Sequence, residues 1–263
     1  MITASWGALA SVMKRADVVV EVIDARTPVT TRSRRLERLA ELMNKPIVLA
    51  LNKADLVPRE IAEEWVKMFR AEGYDAVYLA AREHKGTRVL RGFINRATDV
   101  RPIVVAVVGY PKTGKSSIIN ALRGRRGAQT SPVPGSPGYT KKPGIYRGPG
   151  QIYFLDTPGV IPPDGTPLEK TLRGAPPEKL KDPVKPAVEL IKMIKEYKPR
   201  AILEAYGFDK EDPYEFLEEL ARRRGWFYKS DHEPLIEQAA IALIIDYHKG
   251  KIPFYIPPSV YRR

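Results

Sequence analysis

Short, continuous apolar runs alternate along this chain with stretches whose apolar residues recur every three to four positions. Residues 18–23, 47–51, 76–80, 103–108 and 152–155 are runs of strand length, several of them rich in Val and Ile. Strands without polar alternation are covered on both faces, as in parallel sheets. Residues 34–43, 58–72, 87–97 and 115–123 lie among these runs and carry the spacing of amphipathic helices. The alternation predicts an α/β domain, a mostly parallel sheet with helices on both faces. After residue 160 the strand pattern stops, and 184–197, 213–224 and 234–247 show helical spacing alone. That predicts a small all-helical C-terminal domain. The passage between them, with Pro162, Pro163, Pro167, Pro176, Pro177, Pro183 and Pro186, holds too many breakers for regular structure. The expected division is a domain over 1–165, a linker over 166–183 and a helical domain over 184–263.

Composition narrows the class. A chain of 263 residues, 43% hydrophobic, buries a sizeable core and is not disordered. No apolar run approaches the roughly 18 to 20 residues of a membrane span, and the start lacks the basic and apolar regions of a secretory signal. With no cysteine, disulfides, cysteine zinc sites and thiol catalysis are excluded. The expectation is a cytoplasmic protein, monomeric and without a membrane partner.

Charge changes the picture further. Lys and Arg number 44 against 31 Asp and Glu, a net +13. Up to Gly159 there are 26 basic and 14 acidic residues, net +12; beyond it 18 and 17, net +1. A polyanionic partner is therefore expected for the first part, RNA before membrane. The cations cluster as Arg32, Arg34, Arg35 and Arg38, then Arg123, Arg125 and Arg126, then Lys141, Lys142 and Arg147. The competing reading is a solvated face, the default for charge runs. Scarce Asn, Gln and Cys suit a protein built for high temperature, which explains many Lys and Arg but not an excess of one sign.

The residues that carry chemistry follow the strand runs. Gly109-Tyr110-Pro111-Lys112-Thr113-Gly114-Lys115-Ser116 matches the phosphate-binding pattern G-x-x-x-x-G-K-[ST], after a strand run and before a helical one. Such a loop wraps backbone amides round phosphate oxygens at a helix N-terminus. The expected cradle is Tyr110, Pro111, Lys112, Thr113, Gly114, Lys115, Ser116 and Ser117, with Lys115 reaching the β- and γ-phosphates and Ser116 ligating Mg²⁺. Asp156-Thr157-Pro158-Gly159 closes the run at 152–155; Asp156 is expected to hold Mg²⁺ and the Gly159 amide to meet the γ-phosphate. In the Gly/Pro-rich stretch 135–142, the Thr140 hydroxyl is expected to close on Mg²⁺ when a γ-phosphate is present, unless the stretch is simply a flexible loop. Lys115, Thr140 and Gly159 are thus the expected groups around the transferred phosphate.

Asn52-Lys53-Ala54-Asp55 ends the run at 47–51 and reads as N-K-x-D. A carboxylate at Asp55 accepts from guanine N1–H and its exocyclic amine, a pair adenine does not offer. Lys53 would lie along the base and Asn52 would brace the loop. Sites built on such paired hydrogen bonds discriminate strongly. The competing reading is that these four residues cap the next helix.

The order of these motifs is unusual. N-K-x-D at 52 and Ala80-Ala81-Arg82 precede the phosphate loop at 109, followed by Thr140 and Asp156. In this order, and in Asp24-Ala25-Arg26-Thr27-Pro28 (D-A-R-x-P) and the tail Gly250-Lys251-Ile252-Pro253-Phe254, the chain resembles the circularly permuted GTPases of the YlqF/YawG family. The resemblance covers nearly the whole chain, more loosely in the helical part. It implies a P-loop GTPase fold in permuted order and GTP/GDP and Mg²⁺ as ligands. It also implies a role in assembling the large ribosomal subunit, in contact with ribosomal RNA. Val160 stands where many GTPases carry the Gln that orients water, which implies slow intrinsic hydrolysis completed by the partner. Lys112 replaces the family's usual Asn, so its ammonium stands in for K⁺ or faces solvent. Some relatives use an N-terminal His, with no counterpart here before His84; in the family's base-binding loop Ala80 replaces a Ser, and the resemblance implies that Ala81 still offers its N–H to guanine O6. Two rivals stay open: an RNA-binding scaffold with GTP as mere ligand, and an ATPase with a chance N-K-x-D.

Overall fold

The computed structural model describes residues 5–123, 145–157, 161–230 and 232–261. The chain forms two compact units, Met1–Pro162 with Pro257–Arg263, and Pro163–Ile256.

The first unit is built on a six-stranded sheet. Its strands are β1 (Val18–Asp24), β2 (Ile47–Asn52), β3 (Asp75–Tyr78), β4 (Ile103–Val108), β5 (Ile145–Arg147) and β6 (Ile152–Asp156). Its helices are α1 (Trp6–Lys14), α2 (Pro28–Thr31), α3 (Arg34–Leu42), α4 (Arg59–Ala71), α5 (Thr87–Arg96) and α6 (Lys115–Arg123). The strand order is β3-β2-β1-β4-β6-β5, all parallel except β5. The chain steps outward from β1 to β3, then returns to lay β4 on the other side of β1. Strand order therefore reverses between β1 and β4, and ligands of open α/β sheets bind at the carboxyl ends of such a pair.

The missing alternation in the strands has a direct cause. Val18, Val20 and Val22 of β1 pack on one face with Leu90 and Ile94 of α5 and Ile118 and Leu122 of α6. Val19 packs on the other with Leu9 and Met13 of α1 and Leu36 and Ala40 of α3. Each such fully buried aliphatic side chain contributes about 1.5–3 kcal/mol. One residue of β1 breaks the pattern. Glu21 is fully buried, and its Oε1 accepts the Ser33 N–H at 2.6 Å. Burial, reinforced by the Glu37 carboxylate, pushes the Glu21 carboxyl well above the usual carboxylate range.

Helices α1 and α2 and strand β5 lie outside the expected pattern. Helix α1 is started by Ser5, whose side chain accepts the Ala8 N–H at 3.2 Å, and β5 is a three-residue antiparallel edge.

The second unit carries α7 (Pro167–Leu172), α8 (Val184–Tyr197), α9 (Ala201–Tyr206), α10 (Pro213–Arg223) and α11 (Ile236–Lys249). Its aromatic core stacks Phe208 on Phe216 at 5.0 Å, with Tyr206 edge-on to Phe216 at 5.3 Å. The Gly250-to-Phe254 tail closes α11: Gly250 takes φ +76°, the Lys251 N–H reaches back to the Asp246 carbonyl at 3.0 Å, and Phe254 is fully buried.

The proline-rich passage differs from its expected description. It holds α7, opened by a reciprocal cap between Thr166 and Glu169, and a 3-10 turn at Pro177–Lys179. Pro167, Pro177 and Pro186 all sit in first turns, where a missing N–H breaks no intrahelical bond. Residues 257–263 group with the first unit, where the Tyr261 ring lies 5.7 Å from Trp65 of α4. Among the described residues no helix is long and apolar enough to cross a membrane.

Candidate nucleotide site

The loop from Gly109 to Gly114 leaves the carboxyl end of β4 and enters α6. Gly109 has φ +142°, and a Cβ there would stand 2.4 Å from the Val22 carbonyl oxygen; Gly114 has φ +99°. Both positions need glycine, Gly109 because the chain passes directly against β1 and Gly114 because the Asn52 side chain fills the space beside it. The Thr113 hydroxyl donates to the Tyr110 carbonyl at 2.9 Å and tightens the turn. The Lys115 ammonium is buried and donates to the carbonyls of Gly109 and Tyr110 at 2.9 and 2.8 Å. It is thus held over the loop, beside the N-terminus of α6. Pro111 and Lys112 form the tip, Lys112 exposed with φ +60°. Ser116 and Ser117 occupy the first turn of α6, whose inner face is pinned by Ile118 and Leu122.

Three loops far apart in sequence meet at one side chain. Asn52, at the carboxyl end of β2 and buried, donates from Nδ2 to the Thr113 carbonyl at 2.9 Å. Its Oδ1 accepts the Ala81 N–H at 3.2 Å. The capping alternative does not hold: the 3-10 turn at Ala54–Leu56 and helix α4 both lack a side-chain cap bond. Asn52 is occupied in joining loops, and the Asp55 side chain is exposed, on the rim of a cavity of about 710 Å³ also bordered by Ala80. The Ala81 N–H, three residues beyond the end of β3 and expected to meet guanine O6, donates in this structure to Asn52.

Lys53 takes a left-handed conformation, φ +64°, and its ammonium lies 2.7 Å from the Asp24 carboxylate at the end of β1. Burial lowers the Lys53 pKa and Asp24 offsets part of that. Burial alone would raise Asp24, but Arg26 and Lys53 outweigh it and hold the carboxyl far below the usual range. Sequence reasoning gave Asp24 and Arg26 no chemical role; a charged pair at the end of an apolar strand run was the available signal.

Asp156 ends β6 opposite Val107 of β4, which places its backbone beside the phosphate loop. The Thr157 hydroxyl donates to the Val107 carbonyl at 2.7 Å and ties that end down. Thr140, Gly159 and Val160 lie outside the described residues, as do Arg125, Arg126, Lys141 and Lys142. Among the described residues no group of three or more His, Cys, Asp or Glu converges to hold a metal ion. Ser116, expected to ligate Mg²⁺, lies in the first turn of α6 next to the glycine loop.

Among the described residues, part of the first arginine cluster is engaged with carboxylates of the fold. Arg32 is buried between Glu37 and Glu72, with its Nη1 2.8 Å from Glu72, and so is not available to RNA. Arg34 pairs with the same two carboxylates at 3.3 and 3.4 Å. Arg35 and Arg38 are exposed, Arg35 with its guanidinium 4.1 Å from the Trp6 ring centre. Arg123 lies over Tyr146 at 4.8 Å, and Arg147 is exposed.

Sheet order, glycine loop and Asn52 bridge together define a P-loop nucleotide-binding fold whose N-K-x-D loop comes before its phosphate loop. Residues 104–212 match the family described as 50S ribosome-binding GTPase, MMR_HSR1. The match opens inside β4, leaving β1 to β3 and Asn52 upstream. An uncharacterized GTP-binding protein of Methanocaldococcus jannaschii is 35% identical over 93% of this chain and 65% of its own length. Nucleolar GTP-binding protein 2 of Saccharomyces cerevisiae is 31% identical over 96% of this chain and 53% of its own. The chain thus spans about half to two thirds of these relatives. GNP-bound YlqF from T. maritima superimposes with a TM-score of 0.65 at 23% identity, over 95% of each chain. The chain has the fold of YlqF with its motifs in permuted order, matches the MMR_HSR1 family model over residues 104–212, and is similar along nearly its whole length to nucleolar GTP-binding protein 2.

Proposed function

We propose that this protein binds GTP and GDP at the junction around Asn52, hydrolyses GTP, and serves as a nucleotide-dependent assembly factor of the large ribosomal subunit. The observation that carries the nucleotide half is the Asn52 bridge, which fixes the phosphate loop against the two base-side loops through a single amide. Asp55 would accept from the guanine edge and Lys53 would flank the base. Lys115 would leave its two loop carbonyls for the β- and γ-phosphate oxygens, neutralising charge where it develops. Ser116, with Thr140 and Asp156, would hold the Mg²⁺ that neutralises the phosphates, and the Gly159 amide would meet the γ-phosphate. With Val160 in place of a water-orienting Gln, hydrolysis is slow until the partner completes the geometry. Lys112, exposed at the loop tip, would either supply the charge that K⁺ supplies elsewhere or face solvent.

The ribosomal half rests on the relatives and on the +12 charge of residues 1–159. Co-sedimentation with purified large and small subunits tests it, run with GDP and a non-hydrolysable GTP analogue at two salt concentrations. Pelleting with the large subunit alone, favoured by the analogue, is the expected result. Equal pelleting in both nucleotide states, falling steeply with salt, would reduce the protein to a polyanion binder.

A further inference from the structure

The turn Asp24-Ala25-Arg26-Thr27-Pro28 has no task in the nucleotide chemistry described above, yet it closes on the N-K-x-D loop from two sides. Asp24 and Asn52 are opposite each other on the last rung of the β1–β2 ladder. One residue further, the Ala25 N–H donates to the Asn52 carbonyl at 2.8 Å, so the main chain holds Asn52. The Asp24 side chain then takes the next residue, its Oδ2 accepting from Lys53 Nζ at 2.7 Å.

The carboxylate that receives Lys53 is itself immobile. Arg26 donates to Asp24 Oδ1 from its backbone N–H and from Nε, both at 3.0 Å, and to Oδ2 from Nη2 at 2.8 Å. Arg26 is fully buried and Asp24 is 4% exposed, so water does not compete for these bonds. The turn is locked behind them. The Asp24 N–H donates to Thr31 Oγ1 at 2.9 Å, and the Thr31 hydroxyl donates to the Thr27 carbonyl at 2.8 Å. Lys53 itself sits at φ +64°, a left-handed conformation unfavourable for a lysine, and the ion pair to a fixed carboxylate holds its side chain there.

We propose that this turn is the positioning element of the base-recognition loop, with Asp24 as the positioning residue that anchors Lys53. Anchoring the ammonium at Asp24 stretches the methylene chain of Lys53 into a fixed apolar ledge beside Asp55, and the flat face of the base rests on it. The inference rests on the guanine reading of Asn52, Lys53 and Asp55. An ion pair that merely closed the turn would stabilise the fold without bearing on the ligand, so the test separates the two.

The experiment is a double-mutant cycle on the full chain, read by fluorescent N-methylanthraniloyl-GDP binding alongside thermal unfolding. Asp24→Asn and Lys53→Met each remove the anchor while keeping side-chain length. Each is expected to weaken GDP binding about tenfold. The double variant is expected to lose no more than about threefold beyond the weaker single, because the second change removes nothing further. Multiplied losses in the double variant would overturn the proposal. So would lowered thermal stability with GDP affinity within about twofold of wild type. Should Asp24→Asn leave Arg26 unpaired and fail to fold, Asp24→Glu takes its place in the cycle, displacing the carboxylate by one methylene. Wild-type protein that does not prefer GDP to ADP would defeat the guanine reading itself, a result distinct from either failure.

Discussion

The side-chain amide of Asn52 stands 2.1 Å from the point where a Cβ on Gly114 would lie. The two residues come from the guanine-type loop and the phosphate loop, and each requires the other to be what it is. Gly114 at φ +99° has no room for a methyl group, and the amide that fills the room holds the Thr113 carbonyl one residue before it. Gly114→Ala therefore pushes Asn52 off both partners and strains the backbone, at roughly 1–3 kcal/mol for the strain alone. GDP affinity, followed by nucleotide fluorescence, is expected to fall about a hundredfold, with a lower unfolding temperature.

Asn52 itself is tested by an isosteric change. Asn52→Asp keeps an acceptor for the Ala81 N–H but sets a carboxylate oxygen against the Thr113 carbonyl, where a donor now stands. It is expected to destabilise the protein at least as much as Asn52→Ala, which leaves the buried Ala81 N–H unpaired at about 1–3 kcal/mol. Urea unfolding of the two variants checks the order. A mild Asn52→Asp would mean that the bond to Thr113 does not hold the loops together.

Glu21 gives the fold a pH dependence of definite sign. Its folded pKa is raised by burial and by Glu37, so the fold holds the proton to higher pH than the unfolded chain does. The stability this provides is full below the unfolded value near 4.3 and is lost as pH rises through the folded value. Glu21→Gln keeps an acceptor for the Ser33 N–H and has no charge to bury. It should match wild type near pH 4 and exceed it at pH 7.5 in thermal unfolding. A variant less stable than wild type at pH 7.5 would contradict the assignment.

Two arginines of one cluster separate folding from RNA contact. Arg32 is buried on Glu37, so Arg32→Ala is expected to cost about 3 kcal/mol of stability and to leave the salt dependence of RNA binding unchanged. Arg38 is exposed, and Arg38→Ala is expected to leave stability within about 0.5 kcal/mol while lowering the log–log salt slope by about one. Binding titrations on a ribosomal RNA fragment at several salt concentrations measure both.

Much of this arrangement was legible in the sequence because strand ends and motifs coincide. The runs at 47–51 and 103–108 end where Asn52 and Gly109 begin, and parallel strands bring those ends to one edge. Arg32 misled because a charge run read by composition carries no record of its partners: Glu72 is 40 residues away and meets it only in the fold. The bond from the Ala81 N–H to Asn52 was illegible for the same reason, since it spans 29 residues. The proline-rich passage was read as linker because proline was counted as a breaker without regard to position, whereas Pro167 and Pro177 begin their turns. The Asp24–Lys53 pair was hidden because two residues 29 apart become neighbours only when β1 and β2 lie side by side in register.

The most direct test of the account is nucleotide competition on wild type and Asp55→Asn. In the proposed function the carboxylate of Asp55 would accept from the N1–H and exocyclic amine of guanine; an amide there would present a donor to the 2-carbonyl of xanthine instead. With N-methylanthraniloyl-GDP bound to wild type, GDP and GTP should displace the probe far more readily than ATP or XDP. In Asp55→Asn, binding should shift from GDP to XDP with the fold intact by thermal unfolding. ATP competing as well as GDP on wild type, or an unchanged preference in Asp55→Asn, would contradict guanine recognition at this loop.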